Sequence, residues 1–174
     1  MELLIPNNFN EFIINKKNAT ILSLFNINNL PNILIFGKKN IGKKTLIYSF
    51  IRHLYNLYNI TNINIQEIEK NLKYGNKNYT CIFNMCDYYY EIDLLKNIKN
   101  VKYIINDFLI NLCSNSTLDK NYRIIIIHNI DVLNMEILNS LSYIIEKYYI
   151  YNRFIIISNN STLYYIKSKL FNLC

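Results

Sequence analysis

Short unbroken apolar runs alternate along this chain with stretches in which apolar residues recur every three or four positions. The runs Ile33-Leu34-Ile35-Phe36, 123–127 and 154–157 show no polar alternation, the pattern of strands buried on both faces of a parallel sheet. From Thr45 the period changes. Leu46, Ile47, Phe50, Ile51, Leu54 and Leu57 predict a helix that begins directly after a glycine-bearing loop. Val101, Ile104, Ile105, Phe108, Leu109 and Leu112 predict a second over 99–113, and 135–148 reads as a third. Phe12, Ile13, Ala19, Leu22 and Phe25 give an amphipathic helix within 9–26, with Asn10 or Asn18 as its cap. Residues 79–85 and 88–92 alternate as strands, 60–80 reads as a peripheral strand or loop, and 163–170 as a last short helix. Strands alternating with helices imply βαβ units and an α/β fold.

At 174 residues the chain has the size of one domain, and no repeat or linker divides it, so 1–174 is read as a single unit. With 51% hydrophobic and 18% charged residues it has the material for a packed core and not the composition of a disordered tail. Its apolar runs are far shorter than the roughly 18 to 20 residues a bilayer span requires, and no basic segment precedes the apolar start, so no membrane partner is expected. The formal charge of +7 makes nucleic acid, nucleotide phosphates or an acidic protein plausible partners. Asn, Ile, Lys and Tyr all have A/T-rich codons, however, and compositional bias accounts for the lysines equally well. Cys81, Cys86, Cys113 and Cys174 form no zinc-ligand spacing and no disulfide framework, which reads as reduced thiols.

Only three glycines occur, and two of them frame one loop. Gly37-Lys38-Lys39-Asn40-Ile41-Gly42-Lys43 is a Gly-x4-Gly-Lys sequence between a buried strand and a helix, the context that makes this short pattern a phosphate-binding loop. Glycine permits positive φ, successive amides can then face an anion, and Lys43 would reach the β- and γ-phosphates. The position after Lys43 should be Ser or Thr, whose hydroxyl ligates magnesium, but it is Lys44, with Thr45 following. Magnesium binding is thereby in doubt. Thr45 serves as that ligand if the helical turn shifts by one residue; otherwise it caps or back-bonds within the helix.

A phosphate-loop ATPase also needs a buried strand ending in acids, to hold magnesium and activate water. Here Ile124-Ile125-Ile126-Ile127 runs into His128-Asn129-Ile130-Asp131. Asn129 has no useful basicity, and His128 does not supply the negative charge of a hard-oxygen metal shell. Asp131 lies two residues late, where capping or turning towards the helix near Glu136 is its simpler work. Asp131 and Asp87 are the acids that an active ATPase or small kinase would have to recruit. Lys96, Lys99 and Lys102 share one helix side, read either as a solvated face or as a contact to DNA phosphates.

The stretch 30–37, Gly42-Lys43-Lys44-Thr45, the run 123–133, Ile145-Glu146-Lys147-Tyr148, the run 153–159 and Cys174 together resemble the small subunits of replication factor C, the clamp loader. The order and spacing hold over nearly the whole chain. The doubled lysine is similar to the family's catalytically silent small subunit. The resemblance implies a three-layer P-loop NTPase domain of AAA+ type with a parallel central sheet, and lacking the helical lid and collar that follow the Cys in the family. It implies that ATP or ADP is held by residues 37–45, with Asn159 matching the polar sensor of the γ-phosphate, and that no residue is catalytic. Partners implied are other clamp-loader subunits, a sliding clamp and primer–template DNA, at a nuclear site or a cytoplasmic viral replication site. The family's Ser-Arg-Cys finger is Asn172-Leu173-Cys174 here, so no arginine finger is expected. Its adenine-wrapping N-terminal run is reduced to Leu4-Ile5-Pro6. A decayed, inactive paralogue is the remaining alternative.

Overall fold

Each isoleucine of the central run divides its environment with its neighbour. Ile124 and Ile126 point into one apolar cluster, Ile125 and Ile127 into another, and all four are fully buried. A strand that reads as continuously apolar is therefore one with helices on both faces. The computed structural model describes residues 9–12, 15–57, 63–115, 122–159 and 170–173. Among these, seven strands form one sheet: β1 (Ile33–Phe36), β2 (Gln66–Tyr74), β3 (Lys77–Met85), β4 (Tyr89–Asp93), β5 (Arg123–His128), β6 (Asn152–Ser158) and β7 (Phe171–Leu173). Their spatial order is β2-β3-β4-β5-β6-β1-β7. The five strands from β4 to β7 in that order are parallel, and the β2–β3 hairpin continues the sheet antiparallel beyond β4.

Helices α1 (Lys16–Leu22) and α2 (Lys43–Leu54) cover one face, through Ala19, Leu22, Leu46, Ile47, Phe50, Ile51 and Leu54. The other face carries α5 (Met135–Lys147) and a helical rod over 98–114. That rod has the extent the spacing predicts but not uniform winding. It runs from a 3-10 turn (Ile98–Asn100) through α3 (Val101–Tyr103) and a π-helical segment (Ile104–Leu109) to α4 (Ile110–Ser114). The wide turn delivers Ile104, Ile105, Phe108 and Leu109 to the core together.

Several local expectations are corrected. The first helix is α1 with Asn15 at its N-cap in the left-handed conformation, whereas Asn18 is buried inside the helix and Asn10 lies in a separate 3-10 turn (Phe9–Glu11). Within 60–80, read as a peripheral strand or loop, the strand alternative holds: β2 lies at the edge of the sheet, its side chains almost all exposed, so that its hydrophobic alternation is weak although its register with β3 is continuous from Gln66–Met85 to Tyr74–Lys77. Asp131 does not cap α5. It sits in a 3-10 turn (Ile130–Val132), and Asn134 is the N-cap, its side chain accepting from the Ile137 amide at 3.0 Å. The helix read at 163–170, apart from Leu170, lies outside the described residues, as do Leu4-Ile5-Pro6 and Cys174. Among the described residues no helix is long and apolar enough to cross a membrane.

Because β1 sits between β6 and β7, the loop leaving β1 opens at the carboxyl ends of the parallel strands, where open α/β sheets place ligands. Removing the Asn134 cap by Asn134→Ala should cost about 1 kcal/mol, read as a fall in melting temperature that Asn134→Asp or Asn134→Ser restores.

Candidate functional site

The loop after β1 is curled by three residues with positive φ: Gly37 at 151°, Asn40 at 65° and Gly42 at 87°. A Cβ at Gly37 would lie 2.6 Å from Cδ1 of Ile41, which folds back over the glycine. Gly42 caps α2 in the left-handed region, and its carbonyl accepts the first helical bond, from the Leu46 amide at 3.0 Å. The amides of Lys43, Lys44 and Thr45 therefore open the helix without a partner four residues back, at its positive end. Asn15, in the turn before α1, donates to the Ile41 carbonyl at 2.7 Å and ties the loop to the chain's first helix.

Lys43 turns back under the loop. Its ammonium donates to the carbonyls of Gly37 at 2.6 Å and Lys38 at 2.7 Å and to Oδ1 of Asn159 at 3.0 Å, and the residue is only 7% exposed. All three ammonium donors are used. Burial lowers its pKa, and the charge of Asp131 opposes that shift. Asn159 belongs to a polar chain across the strand ends: its Nδ2 donates to Oδ1 of Asn129 at 3.4 Å, and Nδ2 of Asn129 donates to Oδ1 of Asp93 at 2.7 Å. Asp131 completes the ring from below, accepting from Oγ of Ser158 at 2.6 Å and from the Asn159 amide at 2.8 Å.

These groups border a cleft of about 570 Å³ lined by Lys39, Asn40, Gly42, Lys43, Lys44, Thr45, Asp93, Leu95, His128, Asn129, Ile157 and Asn159. Seven of the ten residues singled out from the sequence line it. Of the other three, Gly37 and Lys38 contribute the carbonyls that hold Lys43, and Ile41 packs behind the loop. Asp87 is exposed in the turn before β4, six residues from Asp93, and so roughly 20 Å of strand separates it from the cleft.

Sequence reasoning missed two acids on β4. Asp93 lies opposite His128 in the β4–β5 register and reaches the cleft, while its Oδ1 is already occupied by the amides of Asn129 and Leu95. Glu91 is buried beneath it. It accepts from the Tyr48 hydroxyl at 2.8 Å and from Asn84 at 3.1 Å, and meets Nε2 of His128 at 2.5 Å. Burial works against its charge, but the hydrogen bond and charge of His128, with the bonds from Tyr48 and Asn84, hold its carboxyl down to about 2. The same burial, with the Glu91 charge, pushes the Tyr48 phenol above its ordinary value. The signal was present as Glu91-Ile92-Asp93, acids two apart at a strand end, which share one face of a strand.

Magnesium, which this type of fold implies, does not fit the donor set. Thr45 is the cleft's hydroxyl and Asp93 its carboxylate, Asp93 is committed to two amides, the side-chain oxygens of Asn129 and Asn159 already accept from Asn159 and Lys43, and Lys44 lines both the cleft and a small recess that it shares with Glu91, Asp93 and Lys96. Among the described residues no cluster of His, Cys, Asp and Glu is arranged to hold a metal. The three lysines read as one helix side do not share a helix: Lys96 lies in the turn before the rod and pairs with Glu67, Lys99 lies in the 3-10 turn, and Lys102 in α3 pairs with Glu136. Asn172 and Leu173, at the finger position, are strand residues of β7 paired with Leu34 and Ile35.

Strand order, loop and cleft define a three-layer α/β fold of P-loop NTPase type, with a mostly parallel central sheet. No family model and no curated protein matches the sequence. Among solved structures, PCH-2 of C. elegans superposes with a TM-score of 0.53 at 13% identity, over 91% of this chain and 41% of that one, and shares the fold. A DNA polymerase III gamma subunit-related protein of Thermotoga maritima aligns with TM-score 0.45 at 13% identity, over 88% of this chain and 44% of its own. Rhizobiales Trip13 aligns with TM-score 0.43 at 10% identity, over 83% and 44%. The chain thus spans less than half the length of each.

The folded-state pKa of Glu91 lies below its ordinary value of 4.5, so its contribution to stability is complete above pH 4.5 and is lost as the pH falls towards 2. Acid unfolding followed by circular dichroism should show that loss, and Glu91→Gln should flatten the pH dependence in this window while lowering stability at neutral pH.

Proposed function

We propose that this domain binds ATP or ADP at residues 37–45 and Asn159 and does not hydrolyse it, acting as a scaffold subunit of a clamp-loader-like assembly in DNA replication. The observation that carries the reading is the glycine loop closed on Lys43 beside a cleft whose β5 edge offers His128 and Asn129 in place of acids. His128 is turned inward to Glu91, and Asn129 spends its amide on Asp93, so neither is a base for an attacking water. Asp131 is likewise engaged with the end of β6. Other clamp-loader subunits, a sliding clamp and primer–template DNA are the proposed partners, reached at a nuclear or viral replication site. They rest on the resemblance to replication factor C small subunits.

A second reading, slow hydrolysis, has one specific observation in its favour: the Asp93 carboxylate borders the cleft. The two separate in a single set of measurements. Titration with a fluorescent ADP should show saturable binding that Lys43→Ala weakens by tenfold or more, about 1.4 kcal/mol. ATP turnover should equal that of Lys43→Ala; turnover abolished by Asp93→Asn would establish the enzyme instead. Affinity capture of the native protein should recover other AAA+ clamp-loader subunits, and a monomer without partners would count against the scaffold role.

A further inference from the structure

We infer that the cleft is built for a metal-free nucleotide polyphosphate, with the Lys44 ammonium supplying the charge that a divalent cation supplies elsewhere; this rests on the nucleotide-binding reading above. Three lysines, Lys39, Lys43 and Lys44, line the cleft against one carboxylate, Asp93. Lys43 is bound to the loop's own carbonyls, but among the described residues Lys39 and Lys44 make no hydrogen bond and no ion pair. Lys44 is the exposed residue at the second position of α2, immediately beyond the loop lysine.

Its placement decides the electrostatics. Lys44 lies in the wall common to the cleft and to the recess lined by Glu91, Asp93 and Lys96, so one residue carries positive charge to both. A divalent cation entering there meets a like charge, and it meets Asp93 with one oxygen already accepting from Asn129 and Leu95. A polyphosphate without a cation meets the lysines and the unpaired amides opening α2. A bound divalent ion cancels much of that polyphosphate's charge before it arrives, so the metal complex is the weaker ligand for this surface. The sequence change from a hydroxyl to an ammonium at position 44 thus inverts the metal's effect: it competes for the ligand instead of bridging it to the protein.

The test is the affinity for ADP, measured by titration calorimetry on the whole chain in EDTA and in excess magnesium at equal ionic strength. Binding should be about threefold or more tighter in EDTA. Lys44→Thr, which restores the hydroxyl, should reverse the order so that magnesium strengthens binding. Lys44→Met, which removes the charge without adding an oxygen, should lose the EDTA advantage and gain nothing from magnesium. Tighter binding in magnesium by the unaltered protein, or a Lys44→Thr protein with the unaltered order, overturns the inference. Absence of ADP binding in both conditions overturns the nucleotide reading itself, and this inference with it.

Discussion

The ammonium of Lys43 is held from three directions at once, and the geometry of the whole site follows from that restraint. Two of its acceptors are carbonyls of the loop that precedes it, so the loop cannot open without stripping a buried charge of its partners. The third is the side chain of Asn159, which lies just beyond the end of β6, more than a hundred residues away. One cation therefore closes the loop and fastens the end of β6 to the start of α2. A buried charge left without such acceptors costs several kcal/mol, which is why three of them converge there. An arriving phosphate offers the same cation a replacement of opposite charge, and the exchange is then between two satisfied states.

The acids nearest the cleft stand on β4, one strand away from the end of β5. β5 ends in His128 and Asn129, while β4 beside it carries Glu91 and Asp93. Glu91 is buried with His128 and hydrogen-bonded by the half-buried Tyr48 and Asn84, so its charge is compensated within the protein. Asp93 remains at the cleft but is paired through Asn129. An aspartate at position 129 would set two carboxylates against each other where an amide now donates to one and accepts from Asn159. The amide is thus the partner that makes the polar chain from Asp93 to Lys43 continuous. Asp93 and Lys43 are thus both held in structural hydrogen bonds, while Lys39 and Lys44 line the cleft with no side-chain bond among the described residues.

The PCH-2 superposition establishes the common α/β framework at 13% identity, a level at which the framework is all that is shared by necessity. The residue content of the cleft is this chain's own: a lysine at 44, and at 128 and 129 a histidine turned to Glu91 and an asparagine bonded to Asp93.

Much of this was legible in the order of residues. Unbroken isoleucine runs can be satisfied only by burial on both faces, so the parallel core and its flanking helices followed from hydrophobic pattern alone, and scarce glycines at 37 and 42 marked the loop because few other residues tolerate its dihedrals. The rod over 98–114 and the capping residues were less legible, since apolar residues at 104, 105, 108 and 109 suit an α turn as well as a π turn and any of several asparagines could cap. Three-dimensional packing alone decided which groups meet across distant strands. Asn15 reaches the loop, Asp131 holds the end of β6 in place of capping a helix, and Glu91 and Asp93 come beside β5 because parallel pairing aligns residues dozens of positions apart. No local pattern encodes that register, because it is set by how the whole sheet closes over its two cores.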